Sequence, residues 1–103
     1  MATTNLSYYD KETIPNAKKF RFGIVVSEWN PSITEGLFKG AVNTLLDCGV
    51  EEINIKTIHV PGSFELVFGA KIASKYNYDA IICLGSVIKG ETDHFDYICN
   101  AVS

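Results

Sequence analysis

Three short apolar runs alternate along the chain with three segments of helical periodicity. The runs occupy residues 20–27, 53–60 and 80–84 and are rich in β-branched and aromatic side chains. The first and third are apolar nearly throughout at their centres, which is typical of strands covered on both faces. Such alternation predicts an α/β fold in which right-handed crossovers join parallel strands. The expected architecture is a three-layer α/β/α sandwich.

The intervening segments carry helix signals. The stretch from Ser32 to Glu35 has the pattern of a capping box, and Gly49 suits a left-handed C-terminal residue. The apolar face that indicates the first helix consists of Ile33, Leu37, Ala41, Val42, Leu45 and Leu46. A second helix, ending near residue 75, is indicated by Phe64, Val67, Phe68, Ile72 and Tyr76. A third is indicated by Phe95, Ile98, Cys99 and Val102.

The two ends of the chain differ from this regular pattern. Residues 1–19 are polar and predict an N-terminal arm, of the kind that often adds a strand to the sheet of a neighbouring subunit. Residues 20–103 form the predicted domain. The last helix reaches Ser103 after about ten residues without a Gly or Asn stop signal. We therefore expect a domain truncated at its C-terminus.

Composition excludes several classes of protein. A chain of 103 residues suits one hydrophobic core, and a net charge of -3 without blocks of like charge argues against a nucleic-acid partner. No apolar run is long enough for a signal peptide or a membrane span, so no membrane partner is expected. Three widely spaced cysteines, at positions 48, 83 and 99, favour buried, reduced thiols. These features predict a cytoplasmic protein.

Unusual residues follow each predicted strand. Trp29 and Asn30 follow the first strand, residues 61–65 follow the second, and residues 85–94 follow the third. Because the carboxyl ends of parallel strands share one edge of a sheet, these segments should meet at a ligand site. Trp29 is either a core residue or an aromatic platform for a planar ligand. Glu65 either complements a helix dipole or, with the free amides of Gly62 and Ser63, holds a polar heterocycle.

The third segment has the features of an anion site. The backbone amides before a helix, together with Lys89 and Thr92, are suitable hydrogen-bond donors to a phosphate. Glu91 and Asp93 argue against an anion unless their side chains face solvent. His94 is either structural or a proton-transfer group beside that loop. No metal-binding cluster, Walker loop, dinucleotide fingerprint or Ser-His-Asp order occurs.

Taken together, these segments resemble the 6,7-dimethyl-8-ribityllumazine synthase family. The family pattern has Phe or Trp before Asn, then Ile-Thr, then V-P-G-[AS]-F-E, then L-G-x-V-I-[RK]-G-E-T-x-H-[FY]-[DE]-Y. Here it stands as Trp29-Asn30, Ile33-Thr34, residues 60–65 and residues 84–97. The resemblance covers about residues 20–103, and its last block is long and specific.

The resemblance implies a flavodoxin-like fold and a reaction without cofactor or metal. In that reaction, 5-amino-6-(D-ribitylamino)uracil condenses with 3,4-dihydroxy-2-butanone 4-phosphate, and phosphate and water are released. It implies that Trp29 stacks on the pyrimidine and that His94 transfers protons. The implied ligands of the pyrimidine and ribityl chain are Ser63, Phe64, Glu65, Ser86, Val87 and Ile88. Glu91 and Thr92 are the implied phosphate ligands, with support from Lys89 and Asn30.

The family also implies homo-oligomers, either rings of five subunits or shells of such rings.

The chain departs from the family pattern at two positions. Trp29 stands where Phe is commoner. Lys89 stands where Arg is frequent, which keeps the charge but loses bidentate geometry. Family members continue beyond the position of Ser103, and that part supplies a phosphate-clamping Arg and a Phe across a subunit boundary. Two other hypotheses stay open: a non-catalytic lumazine or flavin binder, and a protein whose main role is the shell.

Overall fold

The computed structural model describes residues 8–103 and contains a parallel sheet of three strands. The strands are β1 (Phe22–Ser27), β2 (Ile55–Val60) and β3 (Ala80–Leu84), and the helices are α1 (Pro31–Asp47), α2 (Leu66–Ala73) and α3 (His94–Val102). Single 3₁₀ turns at Glu52–Asn54 and Ser63–Glu65 precede β2 and α2. The strand order is β2-β1-β3, with both pairs parallel. This order confirms the predicted α/β, flavodoxin-like architecture.

The central strand forms the core. Ile24 and Val25 are both fully buried, and because neighbouring strand residues point to opposite faces, both faces of β1 are covered. Helix α2 covers the face of Val25, where Val60, Leu66 and Ala73 complete a hydrophobic cluster. Helix α1 contacts β1 and β3 and covers the opposite face. Strands β2 and β3 are edge strands, so the prediction that β3 is covered on both faces is wrong: Ala80 and Cys83 are exposed.

Helix α2 approaches the sheet through Gly69. A Cβ added there would lie 2.6 Å from Val25 Cγ1 and 3.0 Å from Val60 Cγ1. Of the five residues whose spacing indicated this helix, Ile72 is half-buried, whereas Phe64, Val67, Phe68 and Tyr76 are exposed. The packed face is Leu66, Gly69 and Ala73, because only a small side chain at position 69 permits this close approach.

We therefore expect Gly69→Ala to destabilise the protein. Overpacking against a fully buried valine costs about 2–3 kcal/mol, which exceeds the roughly 1 kcal/mol of helix propensity that alanine contributes. Gly40→Ala in α1 is the matched control, since no atom lies within 4 Å of its added Cβ, and it should be neutral or stabilising. Urea unfolding measures both variants. Equal stability of the two variants would contradict this packing.

The start of α1 differs from the prediction. The helix begins at Pro31 and its N-cap is Asn30, with no side-chain cap, so the predicted capping box from Ser32 to Glu35 is wrong. Pro31 suits the first helical position because its missing N–H needs no partner there. The carbonyl of Asn30 accepts from the backbone N–H groups of Ile33 and Thr34.

The buried face of α1 is also rotated from the predicted one. Ile33, Leu37 and Leu46 are exposed, whereas Thr34 is buried and the half-buried residues are Phe38, Ala41, Val42 and Leu45. Thr34 tolerates burial because its hydroxyl donates to the Asn30 carbonyl at 3.3 Å. In α3 the predicted face is confirmed, since Phe95, Ile98, Cys99 and Val102 are its half-buried residues.

The segment before β1 contacts the C-terminal end of α1. Tyr9 Oη donates to Asp47 at 2.7 Å, Lys11 pairs with the same carboxylate at 2.6 Å, and the Ala17 N–H donates to the Cys48 carbonyl at 2.9 Å. The bonds from Lys11 and Tyr9 lower the pKa of Asp47. Residues 1–7 of the predicted arm lie outside the described residues, and the division at residue 19 stays a prediction.

The three cysteines are free thiols, but the prediction that they are buried is wrong. Cys48 and Cys99 are half-buried and Cys83 is exposed, because Cys83 lies on an edge strand. Within residues 8–103, every helix is too short or too polar to traverse a lipid bilayer.

Candidate active site

The carboxyl ends of the three strands lie side by side. Ser27 is paired with Val60, and Val26 is paired with Leu84. The loops that follow the strands, together with the start of α3, enclose a cleft of about 380 Å³. Its lining residues are Trp29, Asn30, Gly62, Ser63, Phe64, Glu65, Ser86, Val87, Ile88, His94 and Ile98.

Trp29 is an aromatic wall of the cleft. Its backbone N–H donates to the Pro61 carbonyl at 3.1 Å, and the N–H of Glu28 donates to the Val60 carbonyl at 2.8 Å. These bonds hold the loop after β1 against the end of β2, while the Trp29 side chain stays 70% exposed. A core position for Trp29 is therefore wrong. Gly62 lets the indole lie close to the neighbouring loop, because an added Cβ would meet Trp29 Cδ1 at 3.0 Å.

Glu65 closes the turn that follows β2. Its Oε1 accepts the N–H of Gly62 at 2.9 Å, and this bond orders the turn that carries Ser63 and Phe64. Glu65 also lines the cleft. The Gly62 amide, which we expected to be free for a ligand, is thus already bonded. Ser63 and Phe64 lie on the same 3₁₀ turn, and this turn places both at the cleft.

Ser86 is the junction between the three loops. Its carbonyl accepts from Ser63 Oγ at 3.0 Å, and its own Oγ accepts from Asn30 Nδ2 at 3.1 Å. The segment that continues through Val87 and Ile88 is thereby tied to the loops after β1 and β2. We call the segment Ser86–Ile88 the wall of the cleft. Because Ser86 is bonded to both neighbouring loops, the main-chain donors and acceptors of this wall stay in one place, which suits recognition of a flat polar ring.

Asn30 adopts a conformation that few side chains tolerate. Its φ is 59°, in the left-handed region that Asn and Asp enter more easily than other non-glycine residues. We expect Asn30→Ala to lower the free energy of unfolding by about 1–3 kcal/mol, from backbone strain and the lost bond to Ser86. Asn30→Asp should retain most of the stability, because its carboxylate can accept from the Ser86 hydroxyl. Equal losses in urea unfolding would contradict this role.

His94 is the first residue of α3 and is an exposed side chain on the cleft wall. The predicted phosphate residues Lys89, Glu91 and Thr92 lie in the exposed loop between Ile88 and His94 and do not line the cleft. The loop nevertheless joins two residues that do line it. That this loop binds phosphate stays a prediction.

Two lining residues were absent from the predicted site. Ile98 lies one helical turn after His94, so the spacing of four residues could have revealed it. Gly62 was predicted to lie in a turn and to offer its amide, but its place on the cleft wall beside the Trp29 indole was not predicted. Residues 8–103 contain no cluster of three or more potential metal ligands.

Comparison with known proteins identifies one family. The family model for 6,7-dimethyl-8-ribityllumazine synthase matches residues 19–103. A protein of that name from Flavobacterium johnsoniae is 59% identical over 106 residues, which cover 100% of this chain and 56% of the relative. One from Christiangramia forsetii is 57% identical, covering 100% and 64%. One from Porphyromonas gingivalis is 52% identical, covering 100% and 66%.

The chain thus spans between about half and two thirds of the length of these relatives. The match includes every strand, every helix and every cleft residue described above. The resemblance seen in the sequence motifs is confirmed, and the chain belongs to the 6,7-dimethyl-8-ribityllumazine synthase family.

Proposed function

We propose that the protein condenses 5-amino-6-(D-ribitylamino)uracil with 3,4-dihydroxy-2-butanone 4-phosphate. The products are 6,7-dimethyl-8-ribityllumazine, phosphate and water, and the step is the penultimate one of riboflavin biosynthesis. The observation that carries the proposal is the shared cleft: the indole of the loop after β1, the fixed main-chain segment after β3 and the imidazole at the start of α3 line one cavity. Relatives that match the whole of this chain carry the name of that synthase.

The pyrimidine binds between Trp29 and the wall from Ser86 to Ile88. The exposed indole face stacks on the planar ring, while main-chain groups of the wall and of Ser63 meet its polar edge. Glu65 and Phe64 complete the pocket for the ring and the ribityl chain. This assignment is supported by the hydrogen bonds that fix Ser86 from both sides.

The butanone phosphate binds near the start of α3. Lys89 and Thr92 supply a positive charge and a hydroxyl donor, and the first N–H groups of a helix favour an anion. The carboxylate of Glu91 points to solvent, while its main-chain N–H serves the phosphate. Binding of this substrate therefore draws the exposed loop from Lys89 to Thr92 towards the cleft.

His94 moves the protons of the reaction. The substrate amine attacks the ketone and loses water to form a Schiff base, and phosphate is then eliminated. The enol that remains becomes a ketone by proton transfer, and the ribitylamino nitrogen attacks that ketone and loses a second water to close the ring. Each step adds or removes a proton at a carbon, nitrogen or oxygen atom, and one imidazole near the reacting atoms can do both. Holding the two substrates together supplies much of the remaining acceleration. No cofactor takes part.

The protein works as a homo-oligomer in the cytoplasm, as a ring of five subunits or an assembly of such rings. Phe64, Val67 and Phe68 are 56%, 56% and 65% exposed on neighbouring turns, and monomers rarely expose apolar patches of that kind. Free cysteines favour a reducing compartment. Light scattering of the intact protein should give at least five times the chain mass, and a stable, active monomer would contradict the assembly.

The function itself is tested with the two substrates and intact protein. Lumazine absorbance and released phosphate should rise together, and omission of either substrate should abolish both signals. The non-catalytic binder predicts binding without turnover. A protein that binds the ribityl-pyrimidine but yields no lumazine above the uncatalysed rate would overturn the proposed activity.

A further inference from the structure

The last residue of β1, Ser27, carries a hydroxyl that the site described so far does not use. Ser27 is 1% exposed, and its Oγ has no hydrogen-bond partner among residues 8–103. A buried hydroxyl without a partner is costly, and the great majority of such groups in proteins are bonded. Ser27 therefore calls for an explanation other than packing.

Gly85 brings a second hydroxyl close to Ser27. A Cβ added to Gly85 would lie 3.2 Å from Ser27 Oγ and 2.7 Å from Ser63 Oγ. Both hydroxyls thus approach the same point from different strand ends, and they do so because position 85 has no side chain. Ser63 lines the cleft, whereas Ser27 is buried and does not line it.

The donors and acceptors of the two serines are complementary. Ser63 uses its single hydroxyl hydrogen to donate to the Ser86 carbonyl at 3.0 Å. Its oxygen keeps lone pairs that can accept. Ser27 has an unused hydrogen, and Ser63 Oγ is an acceptor close to the same point beside Gly85.

We propose that Ser27 is a positioning residue, whose hydroxyl donates across Gly85 to Ser63 Oγ, directly or through one water. This bond fixes the Ser63 hydroxyl and, through it, the Ser86 carbonyl. Both groups belong to the wall that meets the pyrimidine, so the inference rests on the proposed function for its kinetic consequence. Ser27 itself touches no substrate.

A residue that only orders the pyrimidine wall affects binding more than proton transfer. Loss of one hydrogen bond should raise the KM for the ribityl-pyrimidine about two- to tenfold, while kcat and the KM for the butanone phosphate change less than twofold. Because the effect passes through Ser63, the two positions are not independent. Adding Ser27→Ala to Ser63→Ala should raise the KM little further.

The test combines a structure with a double-mutant cycle in the intact protein. A high-resolution crystal structure of the unmutated protein should show Ser27 Oγ bonded to Ser63 Oγ or to one water shared by both.

The double-mutant cycle compares the KM of Ser27→Ala, of Ser63→Ala and of the double variant. Ser27→Thr should restore the KM because it keeps the hydroxyl. Ser74→Ala is the matched control, since that hydroxyl bonds only the Lys71 carbonyl in α2.

The two readouts separate failure of this inference from failure of the proposed activity. If the protein makes no lumazine, the activity is wrong, and the crystal structure alone decides whether Ser27 holds Ser63. A Ser27 hydroxyl bonded elsewhere would overturn the inference. So would an unchanged KM in Ser27→Ala, or KM effects of Ser27→Ala and Ser63→Ala that simply multiply in the double variant.

Discussion

His94→Ala should lower kcat by roughly 10²- to 10⁴-fold, the range typical of a lost general acid-base group. His94 is an imidazole on the cleft wall, and the proposed chemistry moves a proton at each of its steps. The KM values should change little, because the proposal assigns binding of the pyrimidine to Trp29 and the wall around Ser86 rather than to the imidazole. Steady-state kinetics with both substrates measure this separation.

His59→Ala is the matched control. His59 is the other histidine of the 103 residues; it is exposed on β2 and does not line the cleft, so its loss should leave kcat unchanged. If His94→Ala and His59→Ala have the same kcat, His94 has no part in proton transfer.

Trp29→Ala should weaken binding of the ribityl-pyrimidine by about ten- to a hundredfold. Stacking of a base on an aromatic side chain contributes roughly 1–3 kcal/mol when measured by alanine substitution, and the Trp29 indole is 70% exposed beside the cleft. Trp29→Phe should keep most of the affinity, since a phenyl ring also stacks. Isothermal titration with the pyrimidine gives the three dissociation constants.

Fluorescence checks the same contact without a mutation that removes the ring. Trp29 is the only tryptophan of the 103 residues, so its emission should be quenched or shifted as the pyrimidine is added. The Trp29→Phe variant supplies the background signal of the intact protein. Full binding by titration without any change in emission would remove Trp29 from the ligand contact.

The alternation of apolar runs and helical segments was sufficient to predict the fold. Strand β3 was predicted at its observed bounds, Ala80–Leu84, because a short apolar run there is bounded by polar and glycine residues. Helix faces were harder to predict. In α1 the apolar spacing selected Ala41, Val42 and Leu45, which are half-buried, together with Ile33, Leu37 and Leu46, which are exposed. In α2 most of the selected side chains are exposed, since the approach of that helix depends on Gly69, whose role appears only when the strand beneath it is known.

The site was predictable where a strand end fixed its position. Trp29, Ser63 and Ser86 follow directly from the rule that parallel strands share one carboxyl edge. Lys89 and Glu91 lie farther along a loop without bonds to the sheet, so sequence order could not place them. Ser27 had no signal in the sequence, because a serine at the end of a strand looks ordinary until its burial is known.

A crystal structure of the intact protein with a bound ribityl-pyrimidine tests the central claim, that the cleft at the strand ends is the substrate site. We expect the ring to lie against the Trp29 indole, its polar edge to meet main-chain groups of Ser86–Ile88, and His94 to lie beside the reacting amine. A fully occupied ligand bound elsewhere, with Trp29 and Ser86 making no contact to it, would contradict the account.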